Sequence, residues 1–159
     1  MNSPRFSCTS DESLLGNGTA LCLLLATTTS HVSPRFAYLY ASLVQLVETH
    51  SWARVALNLY SQGADKVVSR ARRLHPSIYA FAVPGFKTLF WKRVLTTAAV
   101  QPFSHIMCID DDMRVAPGQF QLVPLLRLQA TLGVPLIAPA PIGAGNGMHP
   151  ATAERLPQL

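Results

Sequence analysis

The sequence predicts an α/β domain, a Rossmann-like three-layer α/β/α arrangement on a mainly parallel sheet. Three observations lead there. Apolar runs rich in β-formers alternate with helix-period segments from about residue 20 to residue 138. The connections between them are short and marked by Pro and Gly. Charged residues make up only 13% of the chain against 49% hydrophobic, a balance that suits strands covered on both faces.

Each element follows from its own residues. Residues 1–18 are polar and Ser/Gly/Asn-rich without periodicity, and read as a flexible tail. Thr19–Thr27 is the first strand. Ser33 and Pro34 have the form of an N-cap and first helical position, opening a helix to about Thr49. Its apolar face is Phe36, Leu39, Tyr40, Leu43, Val44 and Val47. Ala53–Tyr60 is the second strand, and a basic helix runs from about Ala64 to Leu74. Ser77–Val83 is the third strand, ended by Pro84-Gly85. A single helix is expected from about Phe86 to Ala99, followed by a fourth strand, His105–Ile109. After Pro117-Gly118, a shorter helix spans about Gln121 to Leu132, with Gly133 as its C′ residue. Val134–Ala138 reads as a fifth strand. The globular part is therefore 19–141, and 142–159 reads as an irregular tail.

Composition narrows the function classes. At 159 residues the chain is one domain by length, with enough apolar content for a real core. No apolar run approaches the roughly 18 residues of a membrane span, and no signal peptide is expected, since Asp11-Glu12 precede the best run. The three cysteines lack CxxC spacing, so neither a disulfide framework nor a zinc site is expected. Cys22 and Cys108 read as small hydrophobes in buried strands. The formal charge of +5 admits polyanionic partners. However, the basic stripe Lys66, Arg70 and Arg73 lacks interleaved aromatics and reads as a solvated helix face, so no nucleic-acid partner is expected. Asn17-Gly18-Thr19 is a glycosylation sequon, a common tripeptide.

The chemistry concentrates at one place. Asp110, Asp111 and Asp112 end the apolar run His105-Ile106-Met107-Cys108-Ile109, in a chain with only 8 acidic residues against 13 basic ones. Successive strands of a parallel sheet put their carboxyl ends on one edge, where open α/β sheets bind ligands. Hard oxygen donors clustered there suit Mg²⁺ or Mn²⁺, which keep waters and accept phosphate oxygens. Three adjacent carboxylates repel one another. An ion with a bound diphosphate, or a salt bridge to Arg114 or Lys87, relieves that. The plainer alternative is an acidic turn that caps the next helix, or a salt-bridged loop.

The string Ile106-Met107-Cys108-Ile109-Asp110-Asp111-Asp112-Met113 resembles the strand-plus-DxD signature of GT-A glycosyltransferases. The likeness extends upstream through Lys87-Thr-Leu-Phe-Trp-Lys-Arg-Val-Leu and Phe103-Ser-His, and downstream through Pro117-Gly-Gln-Phe and Val134-Pro-Leu-Ile-Ala-Pro-Ala. That longer pattern resembles an uncharacterised plant and algal family with a glycosyltransferase-like domain. The family carries the label "lysine ketoglutarate reductase trans-splicing related", which says nothing of reductase chemistry. The likeness covers about residues 85–141, with agreement in architecture alone over 20–84.

The resemblance implies a GT-A nucleotide-diphospho-sugar transferase fold, with truncation of that fold left open. It also implies a nucleoside-diphosphate sugar donor and Mn²⁺ or Mg²⁺ as cofactor. By position, Asp110 would contact the ribose or a metal-bound water, and Asp112 would ligate the metal. Asp111 would be the variable middle residue beside the cofactor. Lys87, Lys92 or Arg93 would approach the donor phosphates, although lysine and arginine on a helix are ordinarily solvated. Thr27–Ser30, with Thr28 among them, would border the base; without the resemblance they are ordinary loop polarity. The acceptor half follows the DxD strand in such enzymes, and residues 113–159 are few for it. The acceptor, a glycan or another hydroxyl compound, is not specified. His149 and Glu154 are the late candidates for a general base, and His149 reads equally as a loop histidine. Golgi or secretory location is implied by the resemblance, and cytoplasmic location if the chain is complete.

Two functions stay open: a metal-dependent glycosyltransferase or its donor-binding half, and a noncatalytic nucleotide-sugar or metal-binding module that has lost its acceptor half. A phosphotransferase of the haloacid-dehalogenase type places its DxD after the first strand, not the fourth. No GxSxG elbow, Walker A loop or GxGxxG fingerprint is present.

Overall fold

The computed structural model describes residues 21–71, 75–113, 115 and 121–134. Within them, β1 (Leu23–Thr29), β2 (Ala53–Leu59), β3 (Ile78–Phe81) and β4 (His105–Ile109) form one sheet in the order β3-β2-β1-β4. Every pairing is parallel, with Leu23 opposite Ala53 and His105, and Val55 opposite Ile78. The predicted Rossmann-like parallel architecture is what these residues adopt.

Helices cover both faces, as the alternation along β1 requires. Leu23 and Leu25 face one way, into a core shared with α1 (Phe36–Thr49), α2 (Ala64–Ala71) and α5 (Leu122–Leu132). Leu24 and Ala26 face the other way, toward Phe90 and Val94 of α3 (Lys87–Val94) and Ala99 of α4 (Thr97–Val100). Trp52 and Phe90, almost wholly buried, anchor the two cores. Each large side chain removed from water contributes about 1.5–3 kcal/mol.

Several boundaries differ from expectation for local reasons. β1 runs through Thr29, so Thr27–Thr29 are strand rather than loop, and Thr27 and Thr29 are buried. Parallel pairing to β2 over the whole length holds them there. α1 begins at Phe36: Ser33 forms a turn first, accepting from the Arg35 amide through Oγ and from the Phe36 amide through its carbonyl. The expected single helix from Phe86 to Ala99 is two. The chain breaks at Leu95, and Thr96 caps α4 by accepting from the Ala99 amide. α5 ends, as expected, on Gly133 in the left-handed region at φ 61°.

The cysteine expectations hold in part. Cys22 is buried, as expected, but it is disulfide-bonded, and a single bridge leaves no spacing pattern to read in the sequence. Cys108 is a free thiol and exposed. β4 is the edge of the described sheet, and its Ile106 and Cys108 positions lie on a face that remains largely open. Among the described residues no helix is long and apolar enough to cross a membrane. Both tails with the sequon, Arg73, Leu74, Arg114, Pro117-Gly118, residues 135–138 of the expected fifth strand, His149 and Glu154 lie outside the described residues.

Candidate functional site

After β3, the sheet order obliges the chain to cross from one edge to the far side of β1. The switch point, where a crevice opens in such sheets, therefore lies between the carboxyl ends of β1 and β4. A cleft of about 580 Å³ occupies this edge, lined by Thr28, Tyr60, Gly85, Phe86, Lys87 and the three aspartates. Together they come from the ends of all four strands or the loops after them. Thr28 is near the end of β1, Tyr60 follows β2, Gly85–Lys87 join β3 to α3, and Asp110–Asp112 follow β4.

The three carboxylates have separate surroundings. A tight turn, closed by the Met113 amide donating to the Asp110 carbonyl at 3.2 Å, fans them apart. Asp110 is paired with the Lys87 ammonium at 2.5 Å. Asp111 turns back to the sheet and accepts from the Thr29 hydroxyl at 2.8 Å. Asp112 is exposed on the cleft wall. Asp111 is thus anchored to the sheet and Asp110 to Lys87, while Asp112 keeps the open position. Among the described residues no group of three His, Cys, Asp or Glu side chains is placed to hold a metal ion. Mg²⁺ does not require one: it is commonly bound by one or two carboxylates together with substrate phosphates.

Lys87 also lies 5.7 Å from the centre of the Trp91 ring. Trp91 packs on the α3-side core, and its buried indole N–H has no partner among the described contacts. Lys92 and Arg93 are exposed on the last turn of α3 and do not line the cleft. Of the six expected cofactor-binding residues, the structure therefore gathers Thr28, Lys87, Asp110 and Asp111, with Asp112 beside them.

Reading the sequence alone missed Asn58, Tyr60 and Phe86. Asn58 is fully buried on β2, and its amide is fully engaged. Nδ2 donates to the Thr28 hydroxyl at 3.1 Å and to the Val83 carbonyl at 3.0 Å, while Oδ1 accepts from the Val83 amide at 2.8 Å. It straps β1, β2 and the chain after β3 together beneath the cleft. A lone asparagine inside the apolar run Val55-Ala-Leu-Asn-Leu59 was the available signal. His31 and Ser61 brace the rim in the same way, with Nδ1 and Oγ 2.6 Å apart.

A second cavity, about 630 Å³, runs along β4 and α5 past Leu23, Phe103, Ile106 and Leu125. It is larger, but no carboxylate is among its described lining residues. Compared with known proteins, the chain matches no family model, no curated protein and no solved structure.

Proposed function

We propose that the cleft binds a nucleoside-diphosphate sugar with Mn²⁺ or Mg²⁺, and that the chain is a DxD-type glycosyltransferase of the GT-A class or the donor-binding half of one. The observation that carries this reading is the convergence of Asp110, Asp112 and Lys87 on one cleft at the switch point of a parallel sheet. Two carboxylates on one cleft, Asp112 open and Asp110 paired to Lys87, fit the habit of these ions, which complete their shell with diphosphate oxygens and water. When bound, the ion supplies Lewis-acid neutralisation of the departing diphosphate.

The chain's own residues do the rest. Asp110 and Asp112 hold the ion, and Asp111, fixed by Thr29, sets the turn that presents them. Lys87, which lines the cleft beside Asp110, would counter the charge of a donor diphosphate there. The sugar acceptor and its general base lie beyond these residues. A secretory location belongs to the same proposal, and the Cys22 disulfide fits an oxidising compartment.

The Lys87–Asp110 pair also favours a second reading. If a phosphate displaces Asp110 from Lys87, nucleotide binds without a metal, one form of a noncatalytic nucleotide-sugar or metal-binding module. A thermal-shift series with Mn²⁺ and a panel of nucleoside diphosphates, each also alone, separates the two. At 100 times its Kd a ligand stabilises by about 2.7 kcal/mol, a shift of several degrees. A shift that needs both components supports the first reading, and one from nucleotide alone supports the second. No shift in a cooperatively folding sample overturns both.

A further inference from the structure

β4 ends the described sheet, and the direction of its outer backbone groups follows from its inner ones. The His105 amide donates to the Cys22 carbonyl at 3.0 Å, so His105, Met107 and Ile109 turn their amides toward β1. Ile106 and Cys108 alternate with them and turn their N–H and C=O groups outward. Natural sheet edges are guarded by lysine, proline or a bulge. His105–Ile109 contains neither residue and pairs with β1 in unbroken register.

The side chains around this edge are apolar and poorly covered. Eight large hydrophobic side chains are exposed among the described residues, and four of them, Ile106, Leu128, Leu132 and Val134, belong to β4 or to α5 and its end. Leu122 and Leu126 face the core. Leu125, Leu128 and Leu132, spaced i, i+3, i+7, make a second apolar stripe on α5. Leu125 and the β4 edge share the 630 Å³ cavity, which also reaches Thr97 and Val100 of α4. The edge is thus flanked by a helix from each layer, as an added strand requires. α5 does not bring a parallel strand there by the usual hand. It lies on the face of α1 and α2, which step the chain from β1 to β2 to β3. A helix on that face stepping the opposite way makes a left-handed crossover, the form of only about 2% of such connections.

We infer that a second copy of this chain occupies the flank, the two β4 strands pairing antiparallel about a two-fold axis at Met107. In that register Ile106 of one copy stands opposite Cys108 of the other, and the outward N–H and C=O groups of both residues are paired. The apolar stripe on α5 lies beside the same edge in each copy. Charge selects this occupant. The chain carries a formal +5, yet His105–Ile109 has no Lys, Arg, Asp or Glu, and α5 has only Arg127. Two like-charged copies can meet through so neutral a flank, whereas an acidic or nucleic-acid partner finds no cluster of cations there. The inference stands independently of the donor-site reading.

The test is sedimentation velocity on the full chain. The parent should pass from one chain to two as its concentration rises through about 1–100 μM. Ile106→Lys and Leu128→Glu should each weaken the dimer about tenfold or more. Both side chains are exposed, so the dilute variants should melt with the dilute parent. Register is tested by air oxidation of Ile106→Cys. The introduced thiol would face Cys108 of the second copy with about 5.5 Å between Cα atoms, within disulfide reach, so covalent dimers should appear on a non-reducing gel. In the parent the two Cys108 positions are diagonal, about 7–8 Å apart, and should not cross-link. A parent that stays monomeric at every concentration overturns the inference, as does a monomer whose Ile106 and Cys108 amides exchange slowly because the chain itself covers the edge. A dimer that survives both charged substitutions places the interface elsewhere and overturns it too. A dimer in which Ile106→Cys gives no cross-link overturns the β4 pairing.

Discussion

The Thr29 hydroxyl donates to an Asp111 carboxylate oxygen at 2.8 Å, joining the last residue of β1 to the turn after β4. These two strands flank the point at which the sheet changes direction. The bond therefore spans the crevice floor and ties the middle aspartate to β1. All three aspartates line the cleft, with Asp110 paired to Lys87 and Asp112 exposed.

Replacing Thr29 by Val keeps the shape and removes the donor. Hydrogen bonds to charged groups contribute about 1.5–3 kcal/mol, and the half-exposed Asp111 regains some water. Thr29→Val should thus cost about 1–2 kcal/mol in urea titration. Nucleotide affinity in Mn²⁺ should fall as well, because the turn loosens. An unchanged midpoint and unchanged affinity would show that the bond does not set the turn.

Asn58 is the larger structural risk. Asn58→Leu would leave the Val83 amide and carbonyl without their partner in a part-buried setting, at up to about 1–3 kcal/mol for each group left unpaired. A loss of about 3 kcal/mol, read as a melting temperature lower by on the order of 10 °C, is the expected result. A shift under about 2 °C would mean that water replaces the strap.

Lys87 should behave in the opposite way. Its pair with Asp110 is half-exposed on both sides, and such pairs contribute about 0–1 kcal/mol. Lys87→Met should leave stability within that margin yet weaken pyrophosphate binding about tenfold by calorimetry. Loss of stability without loss of affinity would make Lys87 a structural residue only.

How far the sequence revealed this arrangement depends on the range of each interaction. β4 was legible to the residue, because His105–Ile109 is apolar, β-rich and bounded by Ser104 and Asp110. The convergence of Lys87 with Asp110 was legible in outline, since both follow strands whose ends share an edge. The Thr29–Asp111 bond joins residues 82 apart and has no local signature. The split between α3 and α4 was missed because Leu95-Thr96-Thr97 keeps helical apolar spacing, while the Thr96 cap competes locally and prevails. Cys108 looked buried because its strand is apolar; only its place at the sheet edge exposes it.

That thiol gives a pH prediction. Burial around Cys108 pushes its thiol up, although the residue is exposed overall. Thiolate is the reactive form. Alkylation by iodoacetamide, followed at the Cys108 peptide, should be slower at pH 7.5 than for a free cysteine peptide, and should rise with an inflection above the ordinary thiol range. A rate equal to the peptide's would contradict the burial effect.

His105 gives a second pH prediction. Burial lowers its pKa, so the unfolded chain takes up the proton first as pH falls. The stability it contributes is full above about pH 6.5 and is lost as pH drops through that value toward the lower folded one. Melting temperature should therefore decline from pH 7 to 5, and His105→Asn should flatten the slope. An identical slope in the variant would assign the decline to other groups.

The central claim, a divalent-ion and diphosphate site built on Asp110 and Asp112, is tested most directly by Mn²⁺ line broadening of amide resonances. The spectra are recorded on the full chain with saturating UDP, for the parent and for Asp112→Asn. The account predicts selective broadening at Thr28, Lys87 and Asp110–Asp112, none along α2, and its loss in Asp112→Asn while the rest of the spectrum is retained. Broadening that persists in the variant, or that centres on another part of the chain, would contradict it.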